Sequence, residues 1–130
     1  MQRCMLKGKI HGATVMDAQV EYPGSITIDA ALMEAADIVP HEQVQVWSLT
    51  SGERLDTYAI PGKADSGEVR MNGAAAHRIK KGEMIIIATF AWMGEEEVQR
   101  HVPRIVFVDR RNRIWNPAGR SETRPKLVSR

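Results

Sequence analysis

The sequence has one cysteine, seven aromatic residues of the Phe, Tyr and Trp kind, and no apolar run long enough for a bilayer. A lone thiol, Cys4, cannot form an internal disulfide, and no second Cys or His stands near it at metal-ligand spacing. It is expected to be a small buried apolar side chain. His41, His77 and His101 show no ligand spacing, so no metal is predicted. The longest apolar run, MIIIATFAWMG from Met84, falls well short of the roughly 20 residues a membrane helix needs, and MQRCMLKGK at the N-terminus lacks an apolar signal region. A cytoplasmic location with no membrane partner is expected.

Charge is balanced overall, at +2, but unevenly spread. Residues 1–99 carry nine Lys and Arg against fourteen Asp and Glu, whereas residues 100–130 carry nine against two. A basic tail over about 110–130 can contact nucleic acid, yet it has little aromatic interleaving and contains Pro117 and Pro125. Nucleic acid is therefore the less favoured partner, and a terminal segment or a subunit contact is preferred. A chain of 130 residues can bury one core, so a single domain over 1–130 is expected.

What the sequence does have is strand signal. MLKGKIHGATV, SITID, VQVWSL, RLDTYAI, GEVRMN, MIIIATF and RIVFVD are rich in Val, Ile, Thr and aromatics, and several alternate polar with apolar. Turn chemistry separates them at Thr50-Ser51-Gly52, Pro61-Gly62-Lys63, Asp65-Ser66-Gly67 and Lys81-Gly82-Glu83. Only short helices fit between. DAALMEAADI has Asp29 as an N-cap, with Ala30, Leu32, Met33, Ala36 and Ile38 available to face inward. GAAAH offers one helical turn, and MGEEEVQRH another whose glutamates suit a helix N-terminus. The reading is mainly β, a small closed barrel with two or three short helices.

One junction carries chemistry. In YPGSITID a serine follows a glycine at the mouth of a β-branched run. If the backbone bends there, the Ser25 hydroxyl can attack the Gly24 carbonyl and convert the amide to an ester. Elimination then leaves a chain ending at Gly24 and a dehydroalanine at position 25, which water hydrolyses to a pyruvoyl group. Glycine admits the backbone conformations such a step needs. A plain turn before a strand has the same composition.

The arrangement MLKGKIHGATV, YPGSITID, GERLDTYAI, NGAAAH and GEMIIIATF, in that order and spacing, resembles the pyruvoyl-dependent aspartate 1-decarboxylases over residues 3 to about 109. The resemblance implies a double-psi β-barrel assembled as a homotetramer with active sites between subunits. It implies autocatalytic cleavage between Gly24 and Ser25, giving a β chain of residues 1–24 and an α chain of residues 25–130. The activity implied is decarboxylation of L-aspartate to β-alanine for pantothenate and coenzyme A biosynthesis, with the covalent pyruvoyl group from Ser25 as cofactor, forming a Schiff base with substrate.

Residue roles follow from the same resemblance. Tyr58 is the implied proton donor, although a strand tyrosine is by itself an ordinary packing residue. Thr57 is implied near substrate and in self-cleavage. It alternates with Tyr58, so the two face opposite ways unless the backbone is distorted, and a local distortion is expected. Arg54 and Lys9 are implied to hold the substrate carboxylates, for which a guanidinium fork and a compact ammonium are suited. Gly73, Ala74 and Ala75 are implied to present backbone amides to the ligand. His11, Tyr22 and Asn72 are implied supporters of processing. Two positions depart from the pattern: Gly12 replaces a basic residue found in many relatives, and Pro23 fixes the backbone directly before the scissile glycine. Two other functions fit fewer residues, a non-catalytic barrel whose tail binds nucleic acid and a pyruvoyl decarboxylase of another amino acid.

Overall fold

The structure, a computed structural model, describes residues 1–115; the basic tail beyond them lies outside the described residues. Along the chain run β1 (Gln2–Thr14), β2 (Asp17–Gln19), β3 (Ser25–Asp29), α1 (Ala30–Ala36), β4 (Gln43–Ser48), β5 (Arg54–Gly62), β6 (Val69–Asn72), α2 (Ala75–Arg78), β7 (Met84–Gly94), α3 (Glu95–Arg100) and β8 (Arg104–Phe107). The fold is mainly β with three short helices. Each of the seven strand-forming runs is a strand. The eighth, β2, was not foreseen because MDAQV offers only three paired residues and few β-branched ones.

The strands form one sheet in the order β2-β6-β3-β5-β4-β7-β1-β8. Its two ends are not hydrogen-bonded to each other among the described residues. The chain links the first strand of that order to the next-to-last instead, because β1 ends at Thr14 and β2 begins at Asp17. The intervening turn is pinned by Val15 N–H to the Glu83 carbonyl at 2.9 Å and Met16 N–H to the Val69 carbonyl at 2.8 Å. The sheet is thus curled upon itself, and Ile10, Ile26, Ile28, Leu32, Val44, Val46, Met71, Ile79, Ile85 and Ile87 fill the interior.

Two local features explain residues that sequence alone left open. Gly12 lies at a register shift between His11 and Ala13 on β1, with φ 88°. A bulge of that kind uses the left-handed conformation that glycine adopts at least cost, so glycine suits this position. Cys4 is exposed, against expectation. It pairs with Trp92, where β1 and β7 run past the interior and neither side chain has a core to enter.

β3 is buried along its whole length, flanked by β5 in parallel and β6 antiparallel. Asp29 closes it and starts α1. Its carboxylate accepts from Ala31 N–H at 2.8 Å, Asp65 N–H at 3.0 Å and Gly67 N–H at 2.8 Å. One buried side chain therefore caps the helix and holds the 63–67 turn over the end of the strand. α1 buries Leu32, Met33 and Ala36, and Asp37 ends it in the left-handed conformation, φ 61°. The glutamates of α3 occupy its first turn as expected, and Glu97 accepts from Gly94 N–H at 3.1 Å.

Candidate active site

The glycine-serine junction lies where an exposed loop becomes a buried strand. Tyr22, Pro23 and Gly24 are exposed, whereas Ser25 is 0% exposed. Gly24 keeps a negative φ and has nothing within 4 Å of the place a Cβ would occupy. The unusual backbone belongs to Ser25, with φ 157°. That value lies outside the regions open to an L-residue and stores strain of roughly 1–3 kcal/mol. The expectation that the glycine would supply the special conformation is corrected: the serine carries it.

Asn72, at the end of β6, faces Ser25 in the β3–β6 register. It is 3% exposed, and its Nδ2 donates to Ser25 Oγ at 3.0 Å and to Thr27 Oγ1 at 2.9 Å. Its Oδ1 accepts from Arg70 Nε at 3.2 Å. The Arg70 guanidinium lies 4.9 Å from the centre of the Tyr22 ring and 3.5 Å from Glu68 Oε2. Across the β2–β6 pairing stands Asp17, whose carboxyl is held below its usual value chiefly by a hydrogen bond from the Gln19 side chain. Arg70 therefore spans from carboxylates at the rim to a buried amide that touches the serine.

Gly73 presses against the junction from the other side. A Cβ there would fall 2.6 Å from Gly24 Cα and 2.9 Å from the Tyr22 carbonyl oxygen, and its φ is 65°. Its own N–H donates to the Gln19 carbonyl at 2.9 Å. Of the three amides expected to meet a ligand, Gly73 is thus committed within the chain, while Ala74 and Ala75 line the cleft.

Two clefts meet at Ser25. One, of about 320 Å³, is lined by Gly24, Ser25, Arg54, Asp56, Thr57, Asn72, Ala74, Ala75 and Arg78. The other, of about 310 Å³, includes Tyr22, Pro23, Thr27, Glu68 and Arg70. Arg54 stacks on the Trp47 ring at 4.3 Å, which holds the guanidinium over the sheet. Arg78, on α2, was not singled out in the sequence. It pairs with Glu53 at 3.2 Å and brings a second guanidinium to the cleft, a placement only tertiary folding reveals.

Three expected residues stand apart. Tyr58 precedes Ala59, the partner of Ile26, so its backbone neighbours that of Ser25 across β3 and β5. Its ring nevertheless is exposed and lies 6.3 Å from that of His41. β5 pairs with β4 without a register shift from Arg54 to Tyr58, with Thr57 half-buried and Tyr58 exposed. The distortion expected at this pair is absent. Lys9 and His11 are on β1, on the far side of the β5-β4-β7 run from β3, and His11 packs on Phe107 at 5.4 Å. Neither lines a cleft containing Ser25.

The chain is mainly β, with a buried, strained serine, an amide donor on its hydroxyl and two arginines lining the adjoining cleft. The family model for aspartate decarboxylase matches residues 1–115. The aspartate 1-decarboxylase of Myxococcus xanthus is 53% identical over 88% of this chain and 88% of its own length. That of Syntrophus aciditrophicus is 52% identical over 88% and 98%, and that of Chromobacterium violaceum 46% over 96% and 99%. The chain belongs to the aspartate decarboxylase family, whose members are carboxy-lyases.

Proposed function

We propose that this chain cleaves itself between Gly24 and Ser25, converts Ser25 to a pyruvoyl group, and with it removes the α-carboxylate of L-aspartate. The products are β-alanine and carbon dioxide, in a cytoplasmic enzyme supplying pantothenate and coenzyme A biosynthesis. The observation that carries this reading is Ser25 itself: fully buried, strained at φ 157°, and bonded through Oγ to Asn72. An inert turn before a strand has no need of strain or of a buried amide aimed at the hydroxyl.

The surroundings fit the group. Asn72 Nδ2, a donor to the hydroxyl oxygen, is equally able to donate to a ketone or carboxamide oxygen at the same position. The group supplies an electron sink for the charge left when carbon dioxide departs. Arg54 shares the cleft with Ser25 and anchors the carboxylate that the product retains. Thr57, Ala74 and Ala75 line the same cleft and shape it for a small substrate. Tyr58 returns a proton to the carbon that lost carbon dioxide.

Lys9 and His11 join this site from a neighbouring copy in a homotetramer. Support comes from their remoteness from Ser25 within one chain and from apolar side chains left in water, Trp92 at 67% and Val102 at 52% exposure. The test is denaturing mass spectrometry of purified protein after incubation. Two fragments divided at residues 24 and 25 are expected, with Ser25→Ala remaining one intact chain. A parent chain that stays whole indefinitely overturns the proposal.

A further inference from the structure

We infer that Arg70 is a positioning residue for self-processing: it fixes which way the Asn72 amide points, and so gives the scissile ester a hydrogen-bond donor on its leaving oxygen. The inference rests on the cleavage proposed above. An asparagine side chain presents an acceptor on one side and a donor on the other, and nothing in its shape chooses between them. Ser25 and Thr27 do not choose either, because a hydroxyl both donates and accepts. Arg70 does. A guanidinium has no acceptor, so Nε at 3.2 Å can meet only Oδ1, and Nδ2 must then face Ser25 Oγ at 3.0 Å and Thr27 Oγ1 at 2.9 Å. Arg70 is itself held, by Glu68 at 3.5 Å and by the Tyr22 ring at 4.9 Å.

The orientation matters most in the second half of processing. In the first half the bond from Ser25 Oγ to the Gly24 carbonyl carbon forms, the Gly24–Ser25 amide bond breaks, and the hydroxyl proton ends on the Ser25 nitrogen. In the second half a base removes the Ser25 Cα proton and the Cβ–Oγ bond breaks. Its electron pair leaves on Oγ, now one oxygen of the Gly24 carboxylate. Water then replaces the nitrogen of the dehydroalanine, releasing ammonia and leaving the pyruvoyl group. Negative charge grows on Oγ during elimination, and a donor already aimed at that atom lowers the barrier. A flipped Asn72 would instead place Oδ1, a partial negative charge, against the departing oxygen.

Replacing Arg70 with an apolar residue of similar length should therefore slow elimination more than ester formation. Arg70→Met is expected to mature about tenfold to a hundredfold more slowly. Material cleavable by hydroxylamine at residue 24, the signature of the ester, should accumulate. Arg70→Lys, which still offers only donors, should restore most of the rate. Asn72→Asp, which offers Oγ no donor when ionised, should accumulate the same ester, and it serves as the independent readout if Arg70→Met does not fold.

Maturation is followed by intact mass with and without hydroxylamine, alongside the parent and Ser25→Ala. A parent that never cleaves defeats the processing reading itself. A parent that cleaves while a folded Arg70→Met matures at the same rate overturns the role of Arg70 alone. So does an Arg70→Met that stalls as uncut amide with no ester, or an Asn72→Asp that matures normally.

Discussion

Gly73→Ala is the perturbation whose effect can be worked most fully from the geometry. The residue has φ 65°, where an alanine costs about 1–2 kcal/mol. The added methyl would stand 2.6 Å from Gly24 Cα and 2.7 Å from Gly24 N, against 3.4–4 Å for ordinary contact. The neighbours are backbone and cannot rotate away, so the 22–24 loop has to retreat by about 1 Å. That loop carries the carbonyl carbon that Ser25 Oγ must reach, and misplacement on this scale typically slows a positioned reaction by about a hundredfold. Two assays separate the contributions. Thermal unfolding of the uncut Ser25→Ala background should fall by about 3–6 °C, reporting backbone strain. A maturation time course by denaturing mass spectrometry should lengthen by about a hundredfold, reporting the displaced loop. If Gly73→Ala lowers the melting temperature but matures at the parental rate, the close packing of Gly73 on Gly24 has no bearing on cleavage.

Other outcomes follow from the same structure. Asn112→Ala removes a side chain 2% exposed that bonds both backbone groups of Thr14 and the Gly67 carbonyl, at 2.8–2.9 Å. Stability should drop by about 2–4 kcal/mol in denaturant unfolding. Arg54→Ala should leave self-cleavage at the parental rate and raise KM for L-aspartate about tenfold to a hundredfold. Asp109 lies below its ordinary 3.8, chiefly because it accepts from the backbone N–H of Arg113. A lowered carboxyl stabilises the fold above its unfolded value and loses that contribution as pH falls through the folded one. The melting-temperature gap between parent and Asp109→Ala should therefore be full at neutral pH and close below about pH 3.8.

Much of the fold was legible because its strands are driven by local composition. SITID and MIIIATF are β-branched runs that have little alternative to a buried strand, and Asp29 before AALMEAA caps α1 as its position implies. What escaped was set by tertiary contact. β2 exists only because β6 passes beside it, and Asn112 anchors the 109–114 turn through partners some 45 and 98 residues away in sequence. Cys4 reads as a core residue by type and is exposed because its strand outruns the interior.

The site divides the same way. Gly24, Ser25, Thr57, Arg54, Asn72, Ala74 and Ala75 were found by motif and do share one cleft. Tyr22 lines the adjoining one. Arg78 and Arg70 were invisible as isolated basic residues. Only the fold sets one beside the cleft and the other on the Asn72 amide. Lys9 and His11 line neither cleft at Ser25 within one chain, and the Tyr58 ring is exposed beside His41; their motifs give residue identities without these placements.

Whether activity resides in a group this chain makes from its own serine is tested most directly by measuring carbon dioxide release from L-aspartate and the fraction cleaved at residue 24 in the same samples as the protein matures. The rate should rise in proportion to the cleaved fraction, extrapolate to zero at zero cleavage, and be absent in Ser25→Ala. Equal release from intact Ser25→Ala would contradict that origin of the activity.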